Sequence, residues 1–513
     1  MTSLSDSTLP KDERPVGLAT RWSDRLNPIL VREVQQAIKG RVFVLTVFVS
    51  LAITVAIGAM VVGRYDPRGG AGRTAFHAGF ATLMPLLLFI VPMQAYQSMR
   101  LELRAGIAEQ LLLSRLRPMG ILLGKIQAAM VQFVLYVAVL SPLLATSYLL
   151  RGVDLPTVAV SLLLAALLCV TATALAVSSA AQAVLPGLQP IANLATAFGL
   201  GMAAFGFVGF VVSGQYTNLV GMLLRSDQCA MVMTAIVLSA LAGGTLALLM
   251  ARSFLLHAFE NKSTAFRVFL FVLPLVVFAW TVAFIDAAYL DEAVPAATIA
   301  LLILGITFGV FMVTEQRELS PRLRAHAPTG LMTGVLAAPF LPGRDRGMLC
   351  LMVYATALAL VAWLAWPAGS STMRVDMRVE VAKVGLFTLT YTFVYLGLAR
   401  WLRGRLPAGL PGNHLARFLL PVSVFLFILV PVLIDLFTRG EVDDWHVGHV
   451  MNPFWTIEQF VFRRNGMWQE AETPLLTVLA VALLLQVPAC VRGVREVLAA
   501  GAVRKSRQQG NHA

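Results

Sequence analysis

The sequence predicts an all-α, polytopic membrane protein with about twelve transmembrane helices, and three observations carry that prediction. Hydrophobic residues make up 58% of the 513 positions and charged residues only 13%, whereas soluble domains average about 45–50% and about 25%. The mean hydropathy is +0.77. The apolar residues are also gathered into twelve runs, each long enough for the ~20 residues a helix needs to cross a bilayer. Soluble globular, disordered and collagen-like chains are excluded by that balance.

The runs fall at 42–63, 75–97, 127–149, 157–180, 190–213, 229–251, 268–288, 294–314, 347–368, 381–399, 418–437 and 473–491. They commit about 240 residues to lipid and leave roughly 270 for connectors and termini. The longest of those segments run from the N-terminus to Arg41, from Glu315 to Arg346 and from Thr438 to Glu472. None has the ~100 residues that a domain with its own core typically needs. The predicted organisation is a polar N-terminal tail (1–26), a six-span region (27–251), a second six-span region (252–491) and a basic C-terminal tail (492–513).

Charge placement predicts orientation. With the N-terminus in the cytoplasm, 29 of the 40 lysines and arginines fall on that side. This positive-inside bias puts both termini in the cytoplasm of a multi-pass protein of the cytoplasmic (inner) membrane. The net charge of +13 is then a topology signal with some attraction to anionic lipid. No basic cluster is interleaved with aromatics on a soluble fold, so nucleic acid is not an expected partner. The first apolar run begins near Val42 and is long enough to span, so it reads as a retained helix and not a cleaved signal. Cys169, Cys229, Cys350 and Cys490 lie in or beside spans without a CxxC pair, which supports neither a disulfide framework nor a structural zinc site.

Two polar segments carry more information. In NPILVREVQQAIKGR, Asn27 suits an N-cap and Pro28 the first helical position. Leu30, Val34, Ala37 and Ile38 recur on one side of that helix, while Arg32, Glu33, Gln36 and Lys39 occupy the other. The pattern predicts an amphipathic helix lying in the membrane interface. The second segment, ELRAGIAEQLLLSRLRPMGILLGK, falls between spans two and three on the predicted cytoplasmic side. Leu103, Ile107 and Leu111 form one stripe, and Pro118 and Gly120 break the pattern before span three.

Together and in this order, the two segments resemble the permease subunit of a type-two ABC exporter. In that family an Asn-Pro-containing interfacial elbow helix precedes the first span. A cytoplasmic Glu-x-x-x-Gly-Thr-x-Glu-x-Leu-Leu-x-Thr-Pro pattern then leads into Ile-Leu-x-Gly-Lys. Glu102, Gly106, Glu109, Leu112, Ser114, Ile121, Leu122, Gly124 and Lys125 match it, whereas Ile107 replaces the threonine and Arg115 the proline. The likeness is good over about residues 27–150 and extends to the six-span unit ending near Ala251.

The resemblance implies an elbow built on Asn27, Pro28, Arg32, Glu33 and Lys39. It also implies an ATPase-coupling helix carrying Glu102, Arg104, Gly106, Glu109, Leu112, Leu113, Ser114 and Arg115, followed by Gly124 and Lys125. It implies a separate ABC ATPase subunit holding ATP and magnesium, with no cofactor on this chain, and leaves room for a homodimer or a second permease subunit. The nearest thing to a P-loop is Gly120-Ile-Leu-Leu-Gly124-Lys125-Ile126. Its glycines are one residue too close, and Ile126 lacks the hydroxyl that meets magnesium.

Spans seven to twelve repeat the general plan. EQRELSPRLRAHAPTGLMTGVLAAPFLPGRDRG also falls between the second and third helices of its half, and Arg317, Glu318, Arg322 and Arg324 suit a degenerate second coupling element. A fused pair of permease halves and a six-span permease with an added membrane domain both fit, because the residue-level repeat is thin. Near the last span, Asp443, Asp444, His446 and His449 precede MNPFWTIEQFVF. Two carboxylates and a His-x-x-His could bind a divalent metal, but without a recognised metal geometry they read as a solvated acidic turn before an aromatic interfacial stretch.

Two other classes compete. An ion-coupled carrier of twelve spans would place ionisable groups near the bilayer middle, yet the runs hold few: Asp286, Asp435 and Lys383, all toward their ends. A membrane-embedded enzyme would need a nucleophile–base constellation. His77, His257, His326 and His414 are instead scattered, with no HExxH or GxSxG pattern. No catalytic or metal-binding residue is therefore assigned.

Overall fold

A computed structural model describes residues 27–63, 70–106, 110, 117–150, 152–182, 189–256, 260–286, 290–315, 318–365, 373–406, 412–439, 447–452, 455–456 and 468–510. Among these the chain is helical, without strands, and ten helices are long and apolar enough to cross a membrane. The protein is thus an all-α, multi-pass membrane protein. Packing divides it into two compact units, 1–182 with 190–255, and 183–189 with 256–513.

The first unit begins with α1 (Pro28–Lys39), whose N-cap Asn27 accepts the Ile29 N–H at 3.1 Å. Gly40, extended at ψ 132°, separates it from α2 (Arg41–Gly63). α3 (Ala71–Arg104) contains a π-helical stretch, Leu86–Ile90, between Pro85 and Pro92. Each proline withholds a backbone donor from the α ladder, and the local winding absorbs the loss. α3 closes at Gly106, whose φ of +69° is the left-handed conformation glycine supplies at a helix end. α4 (Pro118–Leu149) starts on a proline at its first position, α5 spans Leu155–Ala181 and α6 spans Gln189–Val212. The short α7 (Gln215–Arg225) and α8 (Cys229–Leu255) complete the unit.

α5 is the central helix, packed against α3, α4 and α8. Between membrane helices lipid is as apolar as leucine, so association rests on close packing and polar contacts. The buried face of α5 is accordingly small: Ala165, Ala174, Ala176, Ala180 and Ala181 let its neighbours approach. Polar ties add to this, with Thr46 and Tyr136 joining α2 to α4 at 2.7 Å and His77 and Thr217 joining α3 to α7 at 2.8 Å. Leu45, Phe48, Phe198 and Phe205 are exposed on the outer surface, where hydrocarbon is their natural solvent.

The second unit holds α9 (Thr264–Phe284), α10 (Leu290–Val313), the short α11 (Pro321–Ala325) and α12 (Leu331–Ala337), then α13 (Arg344–Ala365) and α14 (Met373–Arg405). α15 (Gly412–Arg439) and the 43-residue α16 (Trp468–Gly510) follow. α14 is the central helix here, packed against α10, α13, α15 and α16.

Among the described residues each unit has six long helices, and the same seven pairs pack in both. Numbered within a unit these are first–second, first–third, second–third, second–fourth, third–fourth, third–sixth and fourth–sixth. Where the sequence predicts twelve spans, the described residues supply ten. α13 and α14 stand at the ninth and tenth predicted positions as long helices outside that ten.

Candidate functional site

The residues singled out between spans two and three converge with those of α1 on a buried ion cluster. Lys125 is 1% exposed, and its ammonium donates to Glu33 Oε1 at 2.7 Å and to Ser98 Oγ at 2.7 Å. Glu102 Oε2 lies 3.0 Å from the same nitrogen, and Arg32 closes the ring by pairing with Glu102 and, at 3.5 Å, with Glu33. The Ser98 hydroxyl donates to both Glu33 oxygens, at 3.0 and 2.9 Å. Two cations thus face two carboxylates, which is the condition for keeping charge inside a membrane domain.

Local sequence explains the convergence. Asn27 serves α1 and α4 together: its Oδ1 caps α1, while its Nδ2 donates to the Gly120 carbonyl at 2.7 Å. Gly124 permits the contact, because a Cβ there would lie 2.9 Å from the Ile29 side chain. Ser98 and Glu102 are four residues apart on α3, so they share the face turned toward Lys125.

The structure adds one burial and revises one boundary here. Glu33, on the helix side predicted to be polar, is 7% exposed, while Ile38 on the apolar side is 42% exposed. Lys125 supplies the partner that makes Glu33 burial favourable, and lipid tolerates an outward Ile38. Span three is predicted to start at residue 127, but α4 begins at Pro118, so Lys125 lies inside a membrane-length helix. The buried charges of this cluster sit near helix ends and are paired.

Of the remaining predicted coupling residues, Arg104 and Gly106 end α3, and the Gln110 N–H donates to the Gly106 carbonyl at 3.3 Å. Glu109, Leu112, Leu113, Ser114 and Arg115 lie outside the described residues. Pro28 is the first residue of α1, and Lys39 is exposed in its last turn.

A cavity of about 620 Å³ adjoins the cluster, bounded by α1, the first turn of α2, α3 and α4. Beyond the charged groups it is lined by Gln94 and Gln132 and by Val42, Phe43, Val91 and Ala129. Gln94 Nε2, Gln132 Oε1 and Arg32 Nε are buried without hydrogen-bond partners. Ser98, Gln94 and Gln132 escape a reading that scores spans by hydropathy, since single polar residues barely change a long apolar average. The signal available was their spacing: Gln94, Ser98 and Glu102 recur every four residues.

The second unit carries its own buried network. Arg267, fully buried at the start of α9, donates to the carbonyls of Pro339 and Leu341 at 2.9 and 2.6 Å and pairs with Glu315 at 2.9 Å. Glu315 also accepts the Gly343 N–H at 2.8 Å. Arg346 pairs with Glu496 at 2.6 Å, and Arg400 with Asp345 at 3.2 Å. These bonds hold the 318–343 segment against α9 and α16. Burial pushes the Lys262 ammonium below its ordinary value, against the opposing pull of Glu315 and Glu260.

Of the suggested second coupling residues, Glu318 and Arg324 form an exposed pair at 3.1 Å, Arg322 is exposed, and Arg317 lies outside the described residues. His449 is buried with Nε2 2.5 Å from Asp435 Oδ2 and its ring 4.2 Å from that of Trp455. It is thus a packed interior residue, which corrects its placement in a solvated turn; Asp443, Asp444 and His446 lie outside the described residues. Among the described residues no three His, Cys, Asp or Glu side chains come together as a metal site.

No known protein family, curated protein or solved structure matches the chain.

Proposed function

We propose that the chain is the membrane-spanning permease component of an ABC exporter, forming the translocation path and driven by ATP hydrolysis on a separate subunit. One observation carries the reading: a single charge cluster anchors α1, the end of α3 and the start of α4 through Glu33, Glu102 and Lys125. α3 and α4 flank the 105–117 connector, the segment that resembles an ATPase-coupling helix. A push on that connector would move both helices and α1 together, because displacing one of them breaks buried ion pairs at a cost of about 3–5 kcal/mol. Stiffness at this point is what a mechanical transmission requires.

In this reading the connector and both termini face the cytoplasm, α1 is the interfacial elbow, and ATP and magnesium belong to the partner. The protein then lies in the inner membrane with α13 and α14 completing twelve spans. The seven helix pairs shared by both units support a fused pair of permease halves. Such a chain contains both halves of a translocation path and needs no second permease subunit.

The test is co-purification from native membranes followed by ATPase assay. Glu109→Lys, or deletion of residues 110–115, is expected to uncouple the associated ATPase while leaving the helices folded. Failure to co-purify with any ATPase, together with unaltered ATPase turnover, rejects the reading. A twelve-span ion-coupled carrier is the second reading, favoured by Lys125 lying buried in a membrane-length helix. Transport abolished by a protonophore while ATP is maintained would select it.

A further inference from the structure

The cavity beside the ion cluster carries polar groups that nothing among the described residues satisfies. Glu33 is held by Lys125 and Ser98, and Glu102 is ion-paired with Lys125 and Arg32, although neither Glu102 oxygen makes a hydrogen bond. What remains unused is a set of donors: Arg32 Nε and Gln94 Nε2 are buried without hydrogen-bond partners. Arg41, exposed at the rim, makes no ion pair among the described residues. Arg32, Arg41 and Lys125 against Glu33 and Glu102 leave the lining with an excess of positive charge. α2 also begins at this cavity, and a helix N-terminus favours an anion.

Apart from the ion-paired Glu102 oxygens, one unused acceptor accompanies the donors. Gln132 is 6% exposed and lines the cavity, and its Oε1 has no hydrogen-bond partner. An anion with no proton to donate offers nothing to an orphaned amide oxygen, whereas a hydroxyl-bearing headgroup satisfies it. The volume of about 620 Å³ falls within the ~300–1,000 Å³ of small-molecule sites. At the mouth, Val42 and Leu101 are 52% and 64% exposed on helices long and apolar enough to cross a membrane. They offer an apolar path out of the cavity for hydrocarbon chains.

We infer that this cavity binds the phosphate headgroup of an anionic, hydroxyl-bearing phospholipid. The phosphate lies against Arg32, Arg41 and Gln94, a headgroup hydroxyl donates to Gln132 Oε1, and the acyl chains leave past Val42 and Leu101. The bound lipid would brace α1 against α3 and α4. The inference is independent of the permease reading, since lipid binding is measured on the purified chain without an ATPase.

Native mass spectrometry of the detergent-purified full chain, titrated with dihexanoyl-phosphatidylglycerol, tests it. Dihexanoyl-phosphatidylcholine and inorganic phosphate are the comparators. Phosphatidylglycerol is expected to bind about tenfold more tightly than phosphatidylcholine, and equimolar phosphate is expected not to displace it. Arg41→Ala and Gln132→Leu should each weaken it about fivefold, while the remote, exposed Arg225→Ala leaves it unchanged. Arg41 is exposed, so its variant folds and decides the matter even where Gln132→Leu does not. Equal binding of the two lipids, displacement by inorganic phosphate, or unchanged affinity in Arg41→Ala overturns the inference.

Discussion

Lys125 and Glu33, 92 positions apart in the chain, meet at 2.7 Å inside the first unit. Neither charge is tolerable in that interior without the other, so the pair fixes where α1 sits. Lys125→Met would leave Glu33 and Glu102 buried together without their shared cation, and should cost about 3–5 kcal/mol of stability. Unfolding in detergent with a denaturant measures this. The triple change Lys125→Met, Glu33→Leu, Glu102→Leu should recover most of the loss. A single variant as stable as the parent would show that the cluster does not hold the unit together.

The seating of α1 has a steric counterpart. Gly124→Val places branched carbon where Ile29 already packs, so α1 should lift from α4 and residues 28–39 become open to protease. Asn27→Ala removes one cap and one tie to Gly120, and about 1 kcal/mol of stability is expected to go with it. Protection of the 28–39 segment in Gly124→Val equal to that of the parent contradicts this account.

In the second unit, Arg267→Met withdraws the donor from the Pro339 and Leu341 carbonyls and the cation from Glu315. The expected outcome is cleavage within 318–343 under limited proteolysis, with a stability loss of about 3 kcal/mol. Glu496→Gln, at the other anchor of this segment through Arg346, should reproduce the cleavage in milder form.

His449 packs on Asp435 and Trp455, a structural arrangement. His449→Ala should therefore lower stability by about 1–3 kcal/mol, and His446→Ala should leave transport at the parental level. Neither zinc nor a chelator is expected to change the melting temperature of the parent or of either variant. A metal-dependent shift that His449→Ala abolishes would restore the histidines as ligands.

The helices were legible in the sequence because apolar length is a local property. α2, α5 and α8 follow their hydrophobic runs to within a few residues, and the Asn27 cap, Pro118 start and Gly106 stop are local backbone chemistry. Glu33, Glu102 and Lys125 were legible as candidates but not as one site. Gln94 and Ser98 were legible only through their four-residue spacing to Glu102, and Gln132 not at all, since a single amide or hydroxyl hardly changes the hydropathy of a long span.

By itself the sequence determined the class of this protein: composition and run length leave a helical bundle in a bilayer as the only stable arrangement. Which polar residues are interior was decided by the tertiary structure alone. Helical periodicity put Glu33 on the polar side of α1 and Ile38 on the apolar side, and the fold buries the first and leaves the second exposed. In a membrane the apolar face gains nothing by turning inward, whereas a carboxylate turned toward Lys125 gains an ion pair that lipid cannot offer. That partner lies 92 residues away, and only the packed fold brings it near.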